Sequence, residues 1–311
     1  MILSVSRRTD IPAYYFPWFL RRLQAGYVLV RNPRNPQQVS KVALSPEVVD
    51  GIVFWTKNPL PMFGHWSALA AYPYYIQFTL TPYGKELEPG LPGKEQVLLP
   101  AFQGLARQLG KERLVWRYDP ILLGGPYTID YHCRQFAHFA KELQACTQQC
   151  VISFLTDYRH NRRRLHDLGV RPPLSQEKLI LAEKLAPIAA ACDIALTTCA
   201  ETMDLTHLGV GHSCCIDAAR LEQLGGVALR APKDKHQRPA CGCAASIDIG
   251  AYDTCPNGCV YCYANHHADL VQNNAAKHDP AGSLLVGQLE ARDVVKERQM
   301  TSYQEKQQKL F

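Results

Sequence analysis

A C-x3-C-x2-C run near the carboxyl end of the chain is a candidate metal-binding motif. Its cysteines are Cys255, Cys259 and Cys262, and a short β-branched run precedes them. Thiolates this close together on one tight loop can converge on a single metal centre, and Pro256 and Gly258 favour a sharp turn between the first two. A cubane iron–sulfur cluster usually has a cysteine for each iron, so three cysteines would leave one iron open to an outside ligand.

The residues around these cysteines resemble the signature of radical S-adenosylmethionine (SAM) enzymes. Tyr261 stands before the third cysteine and Tyr263-Ala264 follows it, as in the CxxGCxYCYA variant of the photoproduct-lyase-like branch. A helix is expected after the motif, so its setting is strand, loop and helix. In radical SAM barrels this motif comes early in the chain, whereas here it comes last.

A longer stretch of the sequence is similar to an uncharacterised bacterial family, a domain of unknown function with a radical-SAM-like cysteine cluster at its C-terminus. The similar residues include Lys233-Asp234, Gln237-Arg238, Cys241-Gly-Cys243 and Ser246-Ile-Asp-Ile-Gly. The resemblance extends over most of the chain, from Ser6-Arg7-Arg8-Thr9-Asp10 onward. It implies a class of chemistry and no particular substrate.

The radical SAM resemblance implies two cofactors, a [4Fe–4S] cluster on the three motif cysteines and SAM itself. It implies that the open iron chelates the amino and carboxylate groups of SAM, and that an electron from the cluster cleaves the sulfonium to release a 5′-deoxyadenosyl radical. Tyr261 and Asn265 would belong to this cofactor site. An electron donor such as a flavodoxin or ferredoxin is implied as a partner, and the motif variant favours a lyase or repair-like reaction on a nucleic acid or nucleotide.

A zinc site is the alternative interpretation of the motif. His266 and His267 stand four and five residues after Cys262, a spacing that suits zinc. A zinc- or cluster-bearing nucleic-acid-binding protein without redox turnover is therefore the second functional hypothesis. Two basic runs, at residues 159–164 and 233–238, could bind phosphates if they line one groove, although solvated faces would also explain them.

Further cysteines are candidates for a second metal site, most simply another iron–sulfur cluster. Cys241 and Cys243 have C-x-C spacing just before the strand that leads into the main motif. Cys199 ends a predicted strand, and Cys215 lies in a Gly- and His-rich loop, so all four could converge at one edge of the fold. Cys214 could replace Cys215. Burial as small apolar side chains would explain Cys199 and the Cys214-Cys215 pair equally well.

A SAM site also needs groups for the amino-acid moiety, the ribose and the adenine. Arg7 or Arg8 could pair with the SAM carboxylate, while Asp10 could accept bonds from its ammonium group or its ribose. A structural salt bridge at a strand end explains these residues equally well. Thr56, Lys57 and Asn58 follow a later strand and offer hydroxyl, cationic and amide groups that could also bind SAM. A plain polar loop explains these three residues equally well.

The strand pattern predicts an α/β fold, because β-branched or aromatic runs alternate with helical stretches as in βαβ units with parallel strands. The predicted core strands are Ile2–Val5, Gly51–Trp55, Tyr75–Phe78, Leu114–Arg117, Cys150–Phe154, Asp193–Leu196 and Ser246–Ile249. We expect right-handed crossovers to wrap them into a partial or nearly closed, TIM-like (β/α) barrel, with an open doubly wound sheet as the alternative. Placing the last strand beside the first would make this a circularly permuted radical SAM barrel.

Both folds carry their sites at the carboxyl ends of the strands. Arg117, Asp119 and Glu201 stand at such ends and are the candidate catalytic residues, with Asp157 as a further substrate contact. A buried Arg–Asp pair would also explain Arg117 and Asp119.

The predicted organisation is one barrel domain over residues 1–283, with the cluster loop at 240–266, followed by a charged helical extension at 284–311. The formal charge of +6 is well short of that of a dedicated nucleic-acid binder. Arginines interrupt the first apolar run and no apolar stretch is long enough for a membrane span, so we expect neither a signal peptide nor a membrane partner. The 12 cysteines then indicate metal ligands and reduced thiols in a cytoplasmic protein.

Overall fold

The computed structural model describes residues 1–305 and has an α/β fold built on an eight-stranded sheet. The strands are β1 (Ile2–Val5), β2 (Tyr27–Asn32), β3 (Asn35–Ala43), β4 (Gly51–Thr56), β5 (Tyr74–Thr79), β6 (Leu114–Ile121), β7 (Gln149–Phe154), β8 (Ala195–Cys199), β9 (Gly211–Ser213), β10 (Ser246–Asp248) and β11 (Val294–Glu297). The large sheet has the order β10-β1-β4-β5-β6-β7-β8-β9, and each neighbouring pair is parallel. The α/β class and the predicted core strands are confirmed, while β9 is an additional strand.

Helices lie between most of these strands. They are α1 (Ile11–Tyr14), α2 (Phe16–Ala25), α3 (Leu99–Leu109), α4 (Ile129–Leu143), α5 (Arg162–Asp167), α6 (Ser175–Ala190), α7 (Ala218–Gly225) and α8 (Ala268–Ala276). Polar side chains set several of the starts: Asp10 caps α1, Thr128 caps α4 and Asp217 caps α7, each accepting a hydrogen bond from a backbone amide of the first turn. The helix expected after the cysteine motif is α8.

Alternate residues of each strand point to opposite faces of the sheet. One face packs on α2, α3, α4 and α6 through large side chains such as Phe54, Phe78 and Trp116. The segment 215–244, which includes α7, covers the other face, called here the second face, and packs on Ile2, Val53, Tyr75, Val115 and Val151. Because both faces are covered, the strands are nearly continuous apolar runs.

Strand β10 lies beside β1, as the permutation hypothesis requires. Ile2 pairs with Ser246 and Ser4 with Asp248 in parallel register. The Asp248 carboxylate strengthens this join, because it accepts hydrogen bonds from Ser4 Oγ at 3.0 Å and from the Arg7 amide at 2.8 Å. The loop after the last strand of the sheet therefore meets the loop after the first at one edge.

Strands β2 and β3 pair antiparallel as a hairpin, and β11 adds to β3 in parallel. The helical extension predicted for 284–311 is wrong over residues 284–305, where β11 is the regular element, and residues 306–311 lie outside the described part. Charge suggested a helix, but Val294 and Val295 suit a strand and the open edge of β3 supplies its hydrogen bonds. No helix in residues 1–305 is long and apolar enough to cross a membrane.

Candidate metal and cofactor site

The loop that carries Cys255, Cys259 and Cys262 lies at the carboxyl edge of the parallel sheet, directly after β10. Cys255 and Cys259 are buried and Cys262 is half-buried. Thr254, just before the first cysteine, is completely buried: its hydroxyl lies 2.5 Å from Thr9 Oγ1, and its carbonyl accepts a hydrogen bond of 2.6 Å from a tyrosine of the α1–α2 corner. The loop is therefore fastened to the segment that follows β1.

Asp10 joins the cysteine loop to two strand ends at once. Its carboxylate accepts hydrogen bonds from the Ala13 amide at 3.1 Å, from the Lys57 amide at 2.8 Å and from Asn257 Nδ2 at 3.1 Å. These contacts cap α1, hold the end of β4 and orient the turn between Cys255 and Cys259. Asp10 was predicted to bind a ligand, and in the structure its carboxylate bonds with the protein itself.

A buried carboxylate that the sequence analysis missed, Glu88, lies beneath the same loop. It accepts hydrogen bonds from Lys57 Nζ at 2.8 Å and Thr81 Oγ1 at 2.9 Å, and it also pairs with Lys94 and Tyr261 Oη. Burial alone would raise the pKa of Glu88, but the two ammonium groups and their hydrogen bonds lower it to about 2. Glu88 is therefore ionised at neutral pH and holds both lysines.

Lys57 and Tyr261, two of the predicted cofactor residues, meet at this carboxylate. Lys57 Nζ donates to Tyr261 Oη at 2.9 Å, and the ring of Tyr261 packs edge-on against Tyr83 with centroids 5.9 Å apart. Tyr83, Tyr127 and Leu122 form an apolar cluster with Cys259 and Tyr261. The cluster shields this side of the cysteine loop from water.

The loop around Glu88 also contacts the cysteine turn through its backbone. The Gly90 amide donates to the Asn257 carbonyl at 3.0 Å, and the Val260 amide donates to the Leu87 carbonyl at 2.9 Å. A Cβ at Gly90 would lie 2.7 Å from that Asn257 carbonyl oxygen, so only glycine allows this approach. In the sequence, residues 84–93 resemble an ordinary charged turn rich in Pro and Gly. Their position after a predicted strand was the one feature that could have indicated a place for Glu88 in the site.

Asn265, also predicted to belong to the cofactor site, closes the loop behind the cysteines. Its Nδ2 donates to the Cys255 carbonyl at 2.7 Å. Its Oδ1 is buried and has no hydrogen-bond partner among residues 1–305. A buried acceptor without a partner costs about 1–3 kcal/mol, so this atom marks a place where a polar ligand would be stabilising.

The three motif cysteines are buried or half-buried and are of the residue type that binds zinc and iron–sulfur clusters. Burial, together with Asp10 and Cys262 nearby, raises the pKa of Cys255 to about 12, and burial also raises the pKa of Cys259 and Cys262. A thiolate-binding metal would displace these protons. Within residues 1–305 no group of three or more His, Cys, Asp or Glu side chains is placed so that it could hold a metal ion without some rearrangement. The fit to a cluster therefore comes from the type, burial and shared loop of the donors, and from the unpartnered Asn265 oxygen.

Of the two arginines predicted to bind SAM, Arg7 has carboxylate partners within the protein and Arg8 has none among the described residues. Arg7 lies 3.8 Å from Asp248 and 3.9 Å from Asp234, the structural ion pairs that were the alternative explanation. Arg8 forms no ion pair among the described residues, and its guanidinium lies 5.1 Å from the centre of the Tyr252 ring. Thr56 and Asn58 accept hydrogen bonds from backbone amides in the turn after β4, as a plain polar loop would.

The predicted catalytic residues are separated by the structure. Arg117 and Asp119 form the buried pair, with Arg117 Nε 3.0 Å from Asp119 Oδ2. Glu201 instead bonds with Lys178 of α6 at 2.9 Å, and Asp157 pairs with Arg162 at the surface. Among these residues, Arg117 and Asp119 remain together near the sheet edge.

Two histidines lie near the third cysteine: His266, one of the two in the zinc alternative, and His160, which that alternative did not include. His266 Nδ1 is 2.9 Å from Asp253 Oδ2, and the His160 ring lies 4.7 Å from the His266 ring. His160 Nε2 is 2.9 Å from the Cys262 carbonyl oxygen. Both imidazoles are engaged by oxygens in this structure.

The remaining predicted ligands form a second group of sulfurs on the second face of the sheet. Cys199 Sγ and Cys215 Sγ are 2.8 Å apart, and Cys241 and Cys243 are buried in the same cluster. The structure thus separates two cysteine groups, one on the loop after β10 and one on the second face of the sheet.

A shallow groove of about 420 Å³ between Phe63 and α3 contains none of the predicted site residues.

The fold and the site define an α/β protein with a cysteine loop seated at the carboxyl edge of a parallel sheet. The family model of the domain of unknown function DUF1848 matches residues 2–264, and the chain belongs to this family. The predicted resemblance to a domain-of-unknown-function family is thereby confirmed, and the matched range includes both cysteine groups. Comparisons with curated proteins and with solved structures each gave no match.

Proposed function

We propose that this protein is a radical SAM enzyme. Cys255, Cys259 and Cys262 would hold a [4Fe–4S] cluster, which when bound would supply the electron that cleaves SAM and initiates hydrogen-atom abstraction. The substrate class favoured by the motif variant is a nucleic acid or nucleotide. A reduced flavodoxin or ferredoxin would provide the electron.

The observation that carries this proposal is the position of the cysteine loop. It follows β10, and β10 lies beside β1 in a parallel sheet. Reading the sheet from β10 through β1 to β4 gives a cysteine loop after the first strand, which is the order of a radical SAM barrel in permuted form. A loop at the carboxyl edge of parallel strands is also where α/β folds carry their sites.

The protein's own residues position the loop and keep water away from it. Asp10 and Asn257 hold the turn between the first two cysteines, and Glu88 with Lys57 holds Tyr261 next to the third. Tyr83 and its apolar neighbours cover the loop on one side. A site of this kind positions its cofactor and excludes competing reactions, which is the usual contribution of the protein to cofactor chemistry.

Two polar groups remain for SAM in this arrangement. Arg8 has no carboxylate partner among residues 1–305 and could pair with the SAM carboxylate, since guanidinium and carboxylate groups match in geometry. Asn265 Oδ1, buried and unpartnered, could accept a hydrogen bond from an amino or hydroxyl group. Arg7 and Asp10 instead form ion pairs and hydrogen bonds within the protein, which hold the strand ends and the cysteine loop together.

The test is anaerobic reconstitution with iron and sulfide, followed by SAM and dithionite, with 5′-deoxyadenosine and methionine measured by mass spectrometry. Wild type should release both products, and the variant with all three motif cysteines changed to serine should release neither. An Arg8→Gln variant should keep its iron and need a higher SAM concentration. A reconstituted wild type that carries iron and sulfide on the motif but leaves SAM intact would remove this proposal.

A metal-bearing nucleic-acid-binding protein is the second candidate function. The observation that favours it is the exposed basic surface of α5, where Arg162 and Arg163 are 66% and 95% exposed. Electrostatic binding to phosphates falls steeply with salt. Tight, salt-dependent binding of DNA or RNA by a zinc-loaded, iron-free protein would support this candidate over the enzyme.

A further inference from the structure

We propose that Cys199, Cys215, Cys241 and Cys243 bind a second metal centre through four thiolates, on the second face of the sheet. The ligands come from distant parts of the chain: the end of β8, the segment after β9 and the segment before β10. They lie in one buried cluster on this face, in which Cys199 Sγ is 2.8 Å from Cys215 Sγ. All four are free thiols.

The backbone around these cysteines is held in place by side chains of the sheet. Tyr75 Oη and Gln77 Nε2 both donate to the Cys215 carbonyl, at 2.7 and 3.0 Å. The Ala244 amide donates to the Ile216 carbonyl at 3.0 Å, which ties the C-x-C segment to the Cys215 segment. The positions of three sulfurs are therefore set by the fold rather than by contact among the sulfurs.

One further contact suits a thiolate better than a core thiol, and one steric constraint decides between Cys214 and Cys215. The Ile216 amide points at Cys243 Sγ at 3.4 Å, and amide-to-sulfur hydrogen bonds of this kind are found around metal-bound cysteines. Gly242, between the two cysteines of the C-x-C pair, is also constrained, because a Cβ there would lie 2.7 Å from Cys214 Sγ. Cys214 therefore packs behind the pair, and Cys215 rather than Cys214 faces the other sulfurs.

A buried cation lies against this sulfur group. Arg117 Nη1 donates to Cys215 Sγ at 3.1 Å, and Arg117 is only 4% exposed. Burying a guanidinium costs several kcal/mol unless negative charge compensates it. A zinc ion or a cubane cluster held by four thiolates has a net negative charge, so Arg117 fits a metal-loaded site. Asp119 accepts a hydrogen bond from Nε on the other side of the same guanidinium, so Arg117 is shared between a carboxylate and Cys215 Sγ.

Four thiolates serve both zinc and iron–sulfur clusters, and metal analysis distinguishes them. The experiment uses the full chain, purified without oxygen, with Cys255, Cys259 and Cys262 all changed to serine. This variant should retain either about one zinc or about four irons with matching sulfide per chain. Adding Cys241→Ser and Cys243→Ser should remove that metal, whereas adding Cys133→Ser and Cys192→Ser, on half-buried cysteines outside both groups, should not.

The wild-type protein gives a check that needs no substitution. Its metal content should exceed that of a single cubane, as about eight irons or as about four irons with one zinc. A wild type that reaches only about four irons with no zinc, together with a folded triple variant that holds no metal, would overturn the second site. The radical SAM proposal can fail without the second site failing. If the triple variant keeps metal that depends on Cys241 and Cys243, the second site stands even when the wild type leaves SAM intact.

Discussion

Lys57 Nζ lies 2.8 Å from Glu88 Oε1, and Tyr261 of the cysteine loop bonds with both residues. Lys57 comes from the end of β4 and Glu88 from the loop after β5, so this ion pair ties two neighbouring strand ends to the motif. The side chain of Glu88 is 0% exposed and that of Lys57 15%. A pair so well shielded from water acts as a rigid support for the loop.

Changing Glu88 to Gln should destabilise the protein by about 3 kcal/mol at pH 7, because two buried ammonium groups lose their counter-charge. Urea unfolding would measure this, and iron retention after reconstitution should fall with it. The matched control is Glu95→Gln, since Glu95 is 46% exposed and its loss should change stability by less than about 0.5 kcal/mol. Equal stability of the two variants would contradict the supporting role of Glu88.

Gly90→Ala should weaken the cysteine loop. The added methyl would lie 2.7 Å from the Asn257 carbonyl oxygen and 2.8 Å from that of Pro256, so backbone must move at a cost of about 1–3 kcal/mol. Gly104→Ala, within α3, is the control, because the added Cβ would make only an ordinary contact with the Phe63 ring at 3.4 Å. That change should stabilise the protein by up to about 1 kcal/mol. Iron content and melting temperature should fall in the first variant alone.

His132 should make stability depend on pH. It is fully buried, Tyr118 Oη lies 2.9 Å from Nδ1, and burial lowers the pKa of His132 from 6.5 to about 4. As the pH falls, His132 takes up its proton in the unfolded chain at a higher pH than in the folded protein. The contribution of neutral His132 to the free energy of unfolding is therefore complete above about pH 6.5 and is lost as the pH falls toward 4. The loss should be about 3 kcal/mol.

Unfolding of wild type and His132→Gln at pH 7.5 and at pH 4 would measure this effect. The stability gap between the two proteins should shrink by about 3 kcal/mol on acidification. His138→Gln provides the control, because the side chain of His138 is 45% exposed. A gap that stays constant across this range would show that His132 does not titrate as expected.

The histidines beside the motif should be dispensable for metal binding. In a three-cysteine cluster site, His160→Ala, His266→Ala and His267→Ala should each retain wild-type iron, whereas Cys262→Ser should lose it. A zinc site completed by a histidine would behave differently, with one alanine variant losing most of its metal. Inductively coupled plasma measurements on the anaerobically purified variants decide between the two.

The sequence by itself determined the local features of this protein. β-branched runs such as Gly51–Trp55 became buried parallel strands because covered sheets need apolar residues on both faces. The cysteine motif was recognisable because its ligands lie within one loop. The place of β10 beside β1 followed from the resemblance to radical SAM barrels, because a permuted barrel of that kind has its last strand beside its first.

Only the tertiary structure decided how distant residues meet. Nothing local in residues 84–93 distinguishes Glu88 from a surface carboxylate, and its burial depends on strands β4 and β5 and on the motif loop. Glu201 follows the end of β8 and Asp119 lies near the end of β6, yet Glu201 bonds with Lys178 of α6 and is not paired with Arg117. Likewise β11 required the open edge of β3, and the sulfurs of Cys199 and Cys215 meet because the segment after β9 packs on the sheet. Such contacts depend on the shape of the whole fold, which spacing along the chain does not encode.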